Sequence, residues 1–223
     1  MSIQFKTGEQ LGQDGKEGIT YIGTLTKRHS GKCLDTSFSL RKGHKVAVKT
    51  FRKNKSTNKI ETEAKYQQIC AKAEISPFIY EVNKEKKHIV MQMLDSLPVE
   101  TYKNEDLPDD LQYKLCALMG RMDDIEVLHA DMNAYNVMLD TNGRPYMIDF
   151  GFAKKINTTV RKKFGDHPNV KVTLWGLSKG FKRNKVGCDI LEACVKAKNK
   201  TEFFEKGEEL LTANEHRRKR RKR

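Results

Sequence analysis

The sequence predicts an α+β fold with strands mainly in its first part and helices mainly in its second. Strands are indicated by the alternation of Val46–Phe51 and by the apolar runs around the turn at 141–143, a pattern typical of a β-hairpin. The spacing of apolar residues indicates helices over 58–72 and 109–122. A chain of 223 residues can bury a substantial core in one domain or in two closely packed lobes.

Composition favours an intracellular globular protein. Hydrophobic residues make up 37% of the chain and charged residues 32%, and no apolar run approaches the roughly 18 residues that a membrane span needs. The N-terminal residues lack the basic and apolar regions of a secretory signal. The five cysteines form no C-x-x-C pair, which argues against a structural zinc site and favours a reducing compartment. We therefore expect a cytoplasmic or nuclear protein with no membrane partner.

Positive charge is concentrated in the last third of the chain. Residues 1–153 hold 22 lysines and arginines against 21 acidic residues, while residues 154–223 hold 21 against 8. Apolar spacing there indicates helices over 189–198 and 201–211, and 170–177 can form a strand or short helix. The final segment, 217–223, consists entirely of cations and is expected to be disordered. It suits a nuclear-import signal or contact with RNA, DNA or an acidic protein; a solvated tail is the alternative.

Two polar segments contain the candidate catalytic residues. Asp131 and Asn136 precede the predicted hairpin and Asp149 follows it, so the hairpin brings all three side chains to the same end. Carboxylate and amide oxygens are the ligands that Mg²⁺ prefers when it carries nucleotide phosphates. The remaining carboxylate can then accept a proton.

These residues resemble the signature motifs of the protein-kinase superfamily. His129-x-Asp131 followed by Asn136 resembles its catalytic loop, and Asp149-Phe150-Gly151, thirteen residues after the asparagine, resembles its magnesium loop. The resemblance implies Mg-ATP as phosphoryl donor, with Asp131 accepting the proton of the substrate hydroxyl. Asn136 and Asp149 would hold Mg²⁺. His129 is expected to fix the loop rather than to carry a proton.

The resemblance also implies a small bilobal protein-kinase-like fold. Its N-terminal lobe, residues 1–94, would contain an antiparallel sheet and one helix. Residues 95–213 would form a reduced helical C-terminal lobe, and residues 214–223 would be the disordered basic tail.

The glycine loop of such a fold corresponds here to Gly12, Gly15 and Gly18, which are expected to approach the nucleotide phosphates. Gly15 and Gly18 keep the last interval of the family pattern G-x-G-x-x-G, but Gly12 lies one residue too far away. The following residues, 23–45, are rich in polar side chains and are predicted to form a solvated loop between strands.

Lys49 resembles the lysine that binds the α- and β-phosphates in this superfamily. A lysine within an apolar strand needs an acidic partner or a phosphate, because burying the charge unpaired is costly. Glu63 on the predicted helix is the first choice for this partner, and Glu61 is the alternative.

Residues 77–94 are predicted to form a hairpin whose second strand leads into the segment that holds adenine in the family. By resemblance, Met91 would be the gatekeeper, and the backbone of Gln92, Met93 and Leu94 would face the base. Methionines that simply fill the core are an equally good interpretation.

Several departures from the family pattern point to a compact atypical kinase. No A-P-E sequence follows Asp149, alanine stands at position 130 where regulated kinases have arginine, and asparagine stands at position 133 instead of lysine. The loop resembles those of the RIO family and of the small kinase of the KEOPS tRNA-modification complex. A reduced viral serine/threonine kinase is equally compatible. The resemblance covers roughly residues 8–155.

The function implied is transfer of the ATP γ-phosphoryl group to serine or threonine hydroxyls of a protein substrate. One alternative is a small-molecule phosphotransferase, because such enzymes share the H-x-D-x-x-x-x-N loop. The other is an ATPase-type assembly or RNA-modification factor that acts on ribonucleoprotein, which the basic C-terminal third permits.

Overall fold

The computed structural model describes residues 2–12, 14–102, 106–108 and 111–169. The chain divides into two compact units, the first comprising Met1–Asp95 with Ile148–Gly151 and the second Ser96–Met147 with the chain from Phe152 onward. The described ranges contain antiparallel sheets and three α-helices, so the predicted α+β class is confirmed. None of these helices is long and apolar enough to cross a membrane. The elements predicted beyond residue 169, including the basic tail, lie outside the described residues.

The first unit is built on a five-stranded antiparallel sheet with the strand order β1-β2-β5-β7-β6. Its strands are β1 (Phe5–Leu11), β2 (Gly18–Leu25), β5 (Lys45–Phe51), β6 (Ile79–Asn83) and β7 (His88–Gln92). Side chains alternate along central strand β5, so Val46 and Val48 enter one buried cluster while Ala47 and Phe51 enter another. The same alternation puts Lys49 on the face of Ala47 and Phe51.

Helix α1 (Thr57–Lys72) packs against this second face, where Ile60 and Ala64 are fully buried. Ser56 caps the helix by accepting a hydrogen bond from the backbone of Lys59. The buried side of α1 also carries polar residues, namely Glu63, Gln67 and Gln68. Gln67 donates to the Pro77 carbonyl, in the connection before β6, at 3.0 Å. Gln68 accepts from the backbone of Ile79, the first residue of β6, at 2.8 Å. The helix is therefore positioned by buried hydrogen bonds as well as by apolar contact.

The prediction of a solvated loop over 23–45 is wrong. Strand β2 continues to Leu25, and β3 (His29–Cys33) pairs with β4 (Thr36–Leu40) in a separate hairpin. Its two-residue turn, Leu34-Asp35, has φ values of 44° and 69°, as tight hairpin turns require. One face of the hairpin is exposed and rich in serine, which conceals the alternation in the sequence.

Up to residue 169, the described part of the second unit contains two small antiparallel sheets and two α-helices. The predicted hairpin over 137–148 is confirmed, with Gly143 of its turn in the left-handed conformation at φ 67°. The elements are β8 (Ser96–Pro98), a 3-10 turn (Val99–Thr101), α2 (Leu111–Asp124), β9 (Val127–Leu128), β10 (Val137–Asp140), β11 (Pro145–Met147), β12 (Lys154–Lys155) and α3 (Thr158–Phe164). Strands β11, β10 and β8 form one sheet, and β12 pairs with β9. The helix predicted over 109–122 corresponds to α2, whose apolar residues Leu111, Leu115, Leu118 and Met119 are buried.

Candidate functional site

Lys49 lies between two carboxylates in the first unit. Its Nζ is 2.6 Å from Oε1 of Glu63 and 2.9 Å from Oδ1 of Asp149. Burial alone would lower the pKa of Lys49, but the charges of Glu63 and Asp149 and the hydrogen bonds to both outweigh it, so the pKa is raised. Lys49 is therefore held as a cation, which is the form that binds phosphate.

The structure distinguishes the two acidic partners that the sequence allowed for Lys49. Glu63 is 1% exposed and bonds to Lys49, whereas Glu61 is 43% exposed and pairs with Lys84. Side chains two positions apart on an α-helix point about 200° away from each other, so only one of these glutamates can face the sheet.

Glu63 also pairs with a second lysine, Lys55, which was not identified from the sequence. The Nζ of Lys55 lies 3.1 Å from Oε2 of Glu63 and bonds to Glu17, which belongs to the glycine loop. Both carboxylate oxygens of Glu63 therefore contact lysines, Oε1 through Lys49 and Oε2 through Lys55. The side chain of Lys55 is only 5% exposed. A sequence signal was present, because a carboxylate in a loop expected to approach phosphates requires a nearby cation.

The carboxylates of Glu17, Glu63 and Asp149 lie within 4.8 Å of one another. A cluster of this kind can hold a metal ion, but here the ammonium groups of Lys49 and Lys55 contact its members. The cluster is therefore an ion-pair network in which two cations offset most of the negative charge of three anions.

The three glycines of the loop differ in what the surrounding structure requires of them. A Cβ on Gly18 would lie 2.4 Å from the Thr50 carbonyl oxygen, so glycine is needed for β2 to approach β5 closely. A Cβ on Gly15 would lie 2.9 Å from the Gly18 carbonyl oxygen, to which the Gly15 backbone donates a hydrogen bond. Gly12 has φ 71°, a conformation that favours glycine, but has open space around its Cα. Steric demands within the loop thus account for Gly15 and Gly18 without a nucleotide.

Residues 91–94, the predicted adenine-binding segment, already form hydrogen bonds within the first unit. The Gln92 backbone N–H donates to the Phe78 carbonyl at 2.7 Å. Met91 is buried, and its Sδ accepts a hydrogen bond of 3.3 Å from Gln67. Met93 follows the last residue of β7, and its contact with a base stays a prediction.

The catalytic-loop residues belong to the second unit and form a local hydrogen-bond network. Nδ2 of Asn136 donates to the Asp131 carbonyl at 2.9 Å and to its carboxylate at 3.1 Å. The amide nitrogen of Asn136 is thereby committed, which leaves its amide oxygen as the atom suited to a cation. Asn133 donates weakly to the same carboxylate at 3.4 Å and accepts from the Tyr135 backbone.

Non-glycine residues adopt the left-handed conformation in both motifs. Ala130, next to Asp131, has φ 65°, and Asp149 has φ 62°. This conformation costs roughly 1–3 kcal/mol per residue and is concentrated at functional sites. The two motifs are thus held in strained conformations by their surroundings.

A buried asparagine outside the motifs supports the catalytic loop. Asn169 accepts from the His129 backbone at 3.0 Å, and its Nδ2 donates to the Asp123 carboxylate at 2.6 Å and the Val127 carbonyl at 2.7 Å. Burial raises the pKa of Asp123 to about 7, although hydrogen bonds from Asn169 and the charge of Arg161 act in the opposite direction. Neither Asn169 nor Asp123 carries a recognisable sequence signal, since both stand in ordinary polar segments.

Comparison with known protein families identifies one family that the chain matches over just over half of its length. The model of the ABC1 atypical kinase-like domain matches residues 52–167, just over half of the chain. The chain belongs to this atypical kinase-like family. The predicted membership of the protein-kinase superfamily is thereby confirmed. The matched range begins after Lys49, so it includes neither the glycine loop nor this lysine.

Three curated proteins with different names are similar to part of this chain. The chain is 24% identical over 130 residues to a "probable bifunctional tRNA threonylcarbamoyladenosine biosynthesis protein" of Methanobrevibacter smithii, covering 58% of this chain and 23% of that protein. It is 26% identical over 126 residues to a "probable serine/threonine-protein kinase PknB" of Lactococcus lactis, covering 51% and 20%. A 3-deoxy-D-manno-octulosonic acid kinase of Photobacterium profundum is 30% identical over 64 residues, covering 28% and 27%. The matches thus span about a quarter or less of each relative's length.

Proposed function

We propose that this protein is an ATP-dependent protein kinase that phosphorylates serine or threonine hydroxyls. The observation that carries the proposal is the contact of Lys49 with Glu63 and Asp149, because it holds a buried cation beside the first residue of the magnesium-loop motif. Membership of the ABC1 atypical kinase-like family supports the same reaction class.

The roles follow from the chemistry of each side chain. Lys49 binds the phosphates, and Glu63 holds Lys49 in place. Asp149 and Asn136 are the oxygen ligands of Mg²⁺, a role that suits a carboxylate and an amide whose nitrogen is already bonded. Asp131 orients the acceptor hydroxyl and takes its proton. When bound, Mg-ATP supplies the phosphoryl group and the metal neutralises its charge.

A protein acceptor is favoured over a small molecule by two observations. Phe150-Gly151 is the protein-kinase form of the magnesium loop, and the basic last third of the chain suits a macromolecular partner. One relative carries the name of a serine/threonine-protein kinase. Another is named as a sugar-acid kinase, so a small-molecule acceptor is the outcome to test against.

The decisive experiment is transfer of labelled γ-phosphate from Mg-ATP to the protein itself and to a generic basic protein. We expect label with the wild type and a loss of about a hundredfold or more in Asp131→Ala, because general base catalysis contributes 10²–10⁴-fold. Asp149→Asn should abolish turnover without unfolding the protein. Asp35→Asn, a change at an exposed aspartate of the β3–β4 turn, is the matched control and should retain full activity.

Undiminished transfer by Asp131→Ala would overturn the assigned base, and unchanged turnover in Asp149→Asn would overturn the metal assignment. ATP binding without label on either protein would favour a small-molecule acceptor or an ATPase.

An RNA-associated ATPase is the second candidate, favoured by the tRNA-related name of one relative and by the excess of cations after residue 153. It predicts RNA binding that weakens with salt and changes on addition of ATP, without protein phosphorylation. Removing residues 217–223 from the chain should reduce that binding, because the segment consists entirely of cations.

A further inference from the structure

The connection between β5 and α1 holds the glycine loop through its backbone. The Arg52 N–H donates to the Glu17 carbonyl at 3.0 Å, its Nε to the Lys16 carbonyl at 3.0 Å, and its Nη2 to the Gly15 carbonyl at 3.3 Å. These bonds occupy three consecutive carbonyls of the loop. The loop is therefore restrained by a segment that directly follows the strand of Lys49.

Lys55, three residues later, holds the same loop through a side chain. It bonds to the Glu17 carboxylate, and its Nζ lies 3.1 Å from Oε2 of Glu63. The Nζ atoms of Lys49 and Lys55 lie 5.2 and 5.1 Å from the centre of the Phe51 ring. A buried lysine with two acidic partners therefore connects the glycine loop to the glutamate that positions Lys49.

The charge of Glu17 makes this connection necessary. Its Oε2 is the atom nearest to a Cβ built on Gly151, at 2.6 Å, so the carboxylate lies against the magnesium-loop motif. A free carboxylate there would repel the phosphates of a nucleotide, and Lys55 supplies the opposing charge.

We propose that Lys55 is a positioning residue for the nucleotide phosphates, fixing the glycine loop through Glu17 and Lys49 through Glu63. The inference rests on the proposed function, because it assumes that the loop and Lys49 receive ATP. A loop held in its binding conformation loses less conformational entropy when the ligand arrives. Lys55 thus acts through Glu17 and Glu63 and need not touch the nucleotide.

Replacement of Glu17 gives a test that depends on the sign of the effect. If Glu17 were only a negative charge near the phosphates, Glu17→Gln would strengthen Mg-ATP binding, because it removes repulsion. If Glu17 is the tether by which Lys55 holds the loop, the same change weakens binding. Glu17 is 31% exposed, so the fold should tolerate the substitution.

The experiment measures dissociation constants of Mg-ATP and of adenosine by calorimetry for the full chain. We expect Lys55→Met to weaken Mg-ATP binding about tenfold or more, and Glu17→Gln to weaken it several-fold, since each removes a hydrogen bond between charged groups. Adenosine lacks phosphates, so its affinity should change less than about twofold. Lys53→Met removes an exposed lysine of the same segment and is the control.

Two further variants separate positioning from a general effect on folding. Lys55→Arg should restore most of the affinity, because a guanidinium can bond to two carboxylates at once. The double variant Glu17→Gln with Lys55→Met should bind Mg-ATP no more weakly than Lys55→Met alone, since both changes break one connection. Additive losses would overturn the inference.

The results also separate this inference from the proposed function. A wild-type protein that binds neither Mg-ATP nor adenosine would overturn the proposed function and the inference together. Normal wild-type binding with tighter Mg-ATP binding in Glu17→Gln would overturn the inference alone, as would equal losses of ATP and adenosine affinity in a folded Lys55→Met protein. If Lys55→Met does not fold, Glu17→Gln decides.

Discussion

Asn169 accepts a hydrogen bond of 3.0 Å from the backbone N–H of His129, 40 residues earlier in the chain. Its amide nitrogen donates to Asp123 near the end of α2 and to the Val127 carbonyl in β9. Asn169 and His129 have no exposed surface. One amide therefore joins a helix, a strand and the first residue of the catalytic-loop motif.

Removal of this amide should destabilise the protein strongly. Asn169→Ala leaves the His129 N–H, the Val127 carbonyl and Asp123 without this partner, and each lost buried bond costs about 1–3 kcal/mol. We expect a total of roughly 3 kcal/mol or more, seen as a lower midpoint of thermal unfolding. Asn157→Ala is the control, because Asn157 makes a single capping bond to Val160 and should cost only about 1 kcal/mol. Equal losses in the two variants would contradict the assigned role.

The carboxyl group of Asp123 should make stability depend on pH. Burial raises its pKa to about 7, so between about pH 4 and 7 the folded protein retains a proton that the unfolded chain has released. The contribution of this group to stability is then highest at low pH, falls as pH rises through that window, and levels off above pH 7. The total change is at most about 4 kcal/mol.

Asp123→Asn tests this titration. The variant keeps an amide oxygen in the place of Oδ1, which accepts both hydrogen bonds from Asn169. The new amide nitrogen takes the place of Oδ2, an atom that has no hydrogen-bond partner in the described residues. Thermal unfolding followed from pH 4 to 8 should show the variant gaining stability over the wild type up to about pH 7 and running parallel above it. Parallel profiles throughout would rule out titration of Asp123 in this window.

The parts of the fold that follow simple periodicity could be predicted from sequence. Strand β5 and the β10–β11 hairpin have alternating or turn-flanked apolar runs, and Lys49 within β5 required an acidic partner. The β3–β4 hairpin could not be predicted in the same way. Its exposed face is lined by serines and a lysine, so the segment has the composition of a loop.

The residues that hold the motif residues in position were harder to predict, because their hydrogen-bond partners are far away in the sequence. Lys55 stands in a charged turn where lysine is normally solvated, and its burial results from Glu17, 38 residues earlier. Asn169 is a common polar residue whose importance comes from three partners in other elements. Local spacing identifies motif residues, but tertiary contacts determine which polar residues outside the motifs hold them.

Glu63 and Glu61 should differ sharply in their contribution to stability. Glu63→Gln removes the charge that faces both Lys49 and Lys55, and breaking a buried ion pair costs about 3–5 kcal/mol. Glu61→Gln breaks an exposed pair with Lys84, which should cost less than about 1 kcal/mol. Thermal unfolding of both variants checks the difference, and Glu63→Gln should also weaken Mg-ATP binding. Similar unfolding midpoints for the two variants would show that the buried network adds little stability.

A side chain at Gly151 should weaken Mg-ATP binding by displacing Glu17. A methyl group there would lie 2.6 Å from Oε2 of Glu17, the far end of a flexible side chain, so the carboxylate should move away while the fold persists. Gly151→Ala should then weaken Mg-ATP binding several-fold, as is expected for Glu17→Gln, because each weakens the ion pair between Glu17 and Lys55. Gly31→Ala is the control, since the nearest atom to a Cβ there is 3.6 Å away.

The combination of the two changes at Gly151 and Glu17 identifies the cause. If displacement of the carboxylate explains the loss, Gly151→Ala should have no further effect on Mg-ATP affinity in a protein that already carries Glu17→Gln, because glutamine has no charge for Lys55 to hold. A further several-fold loss in the double variant would show that the methyl group acts on another neighbour, such as the Asp149 carboxylate, whose Oδ1 would lie 3.3 Å from it. Dissociation constants for the wild type and the three variants make the distinction directly.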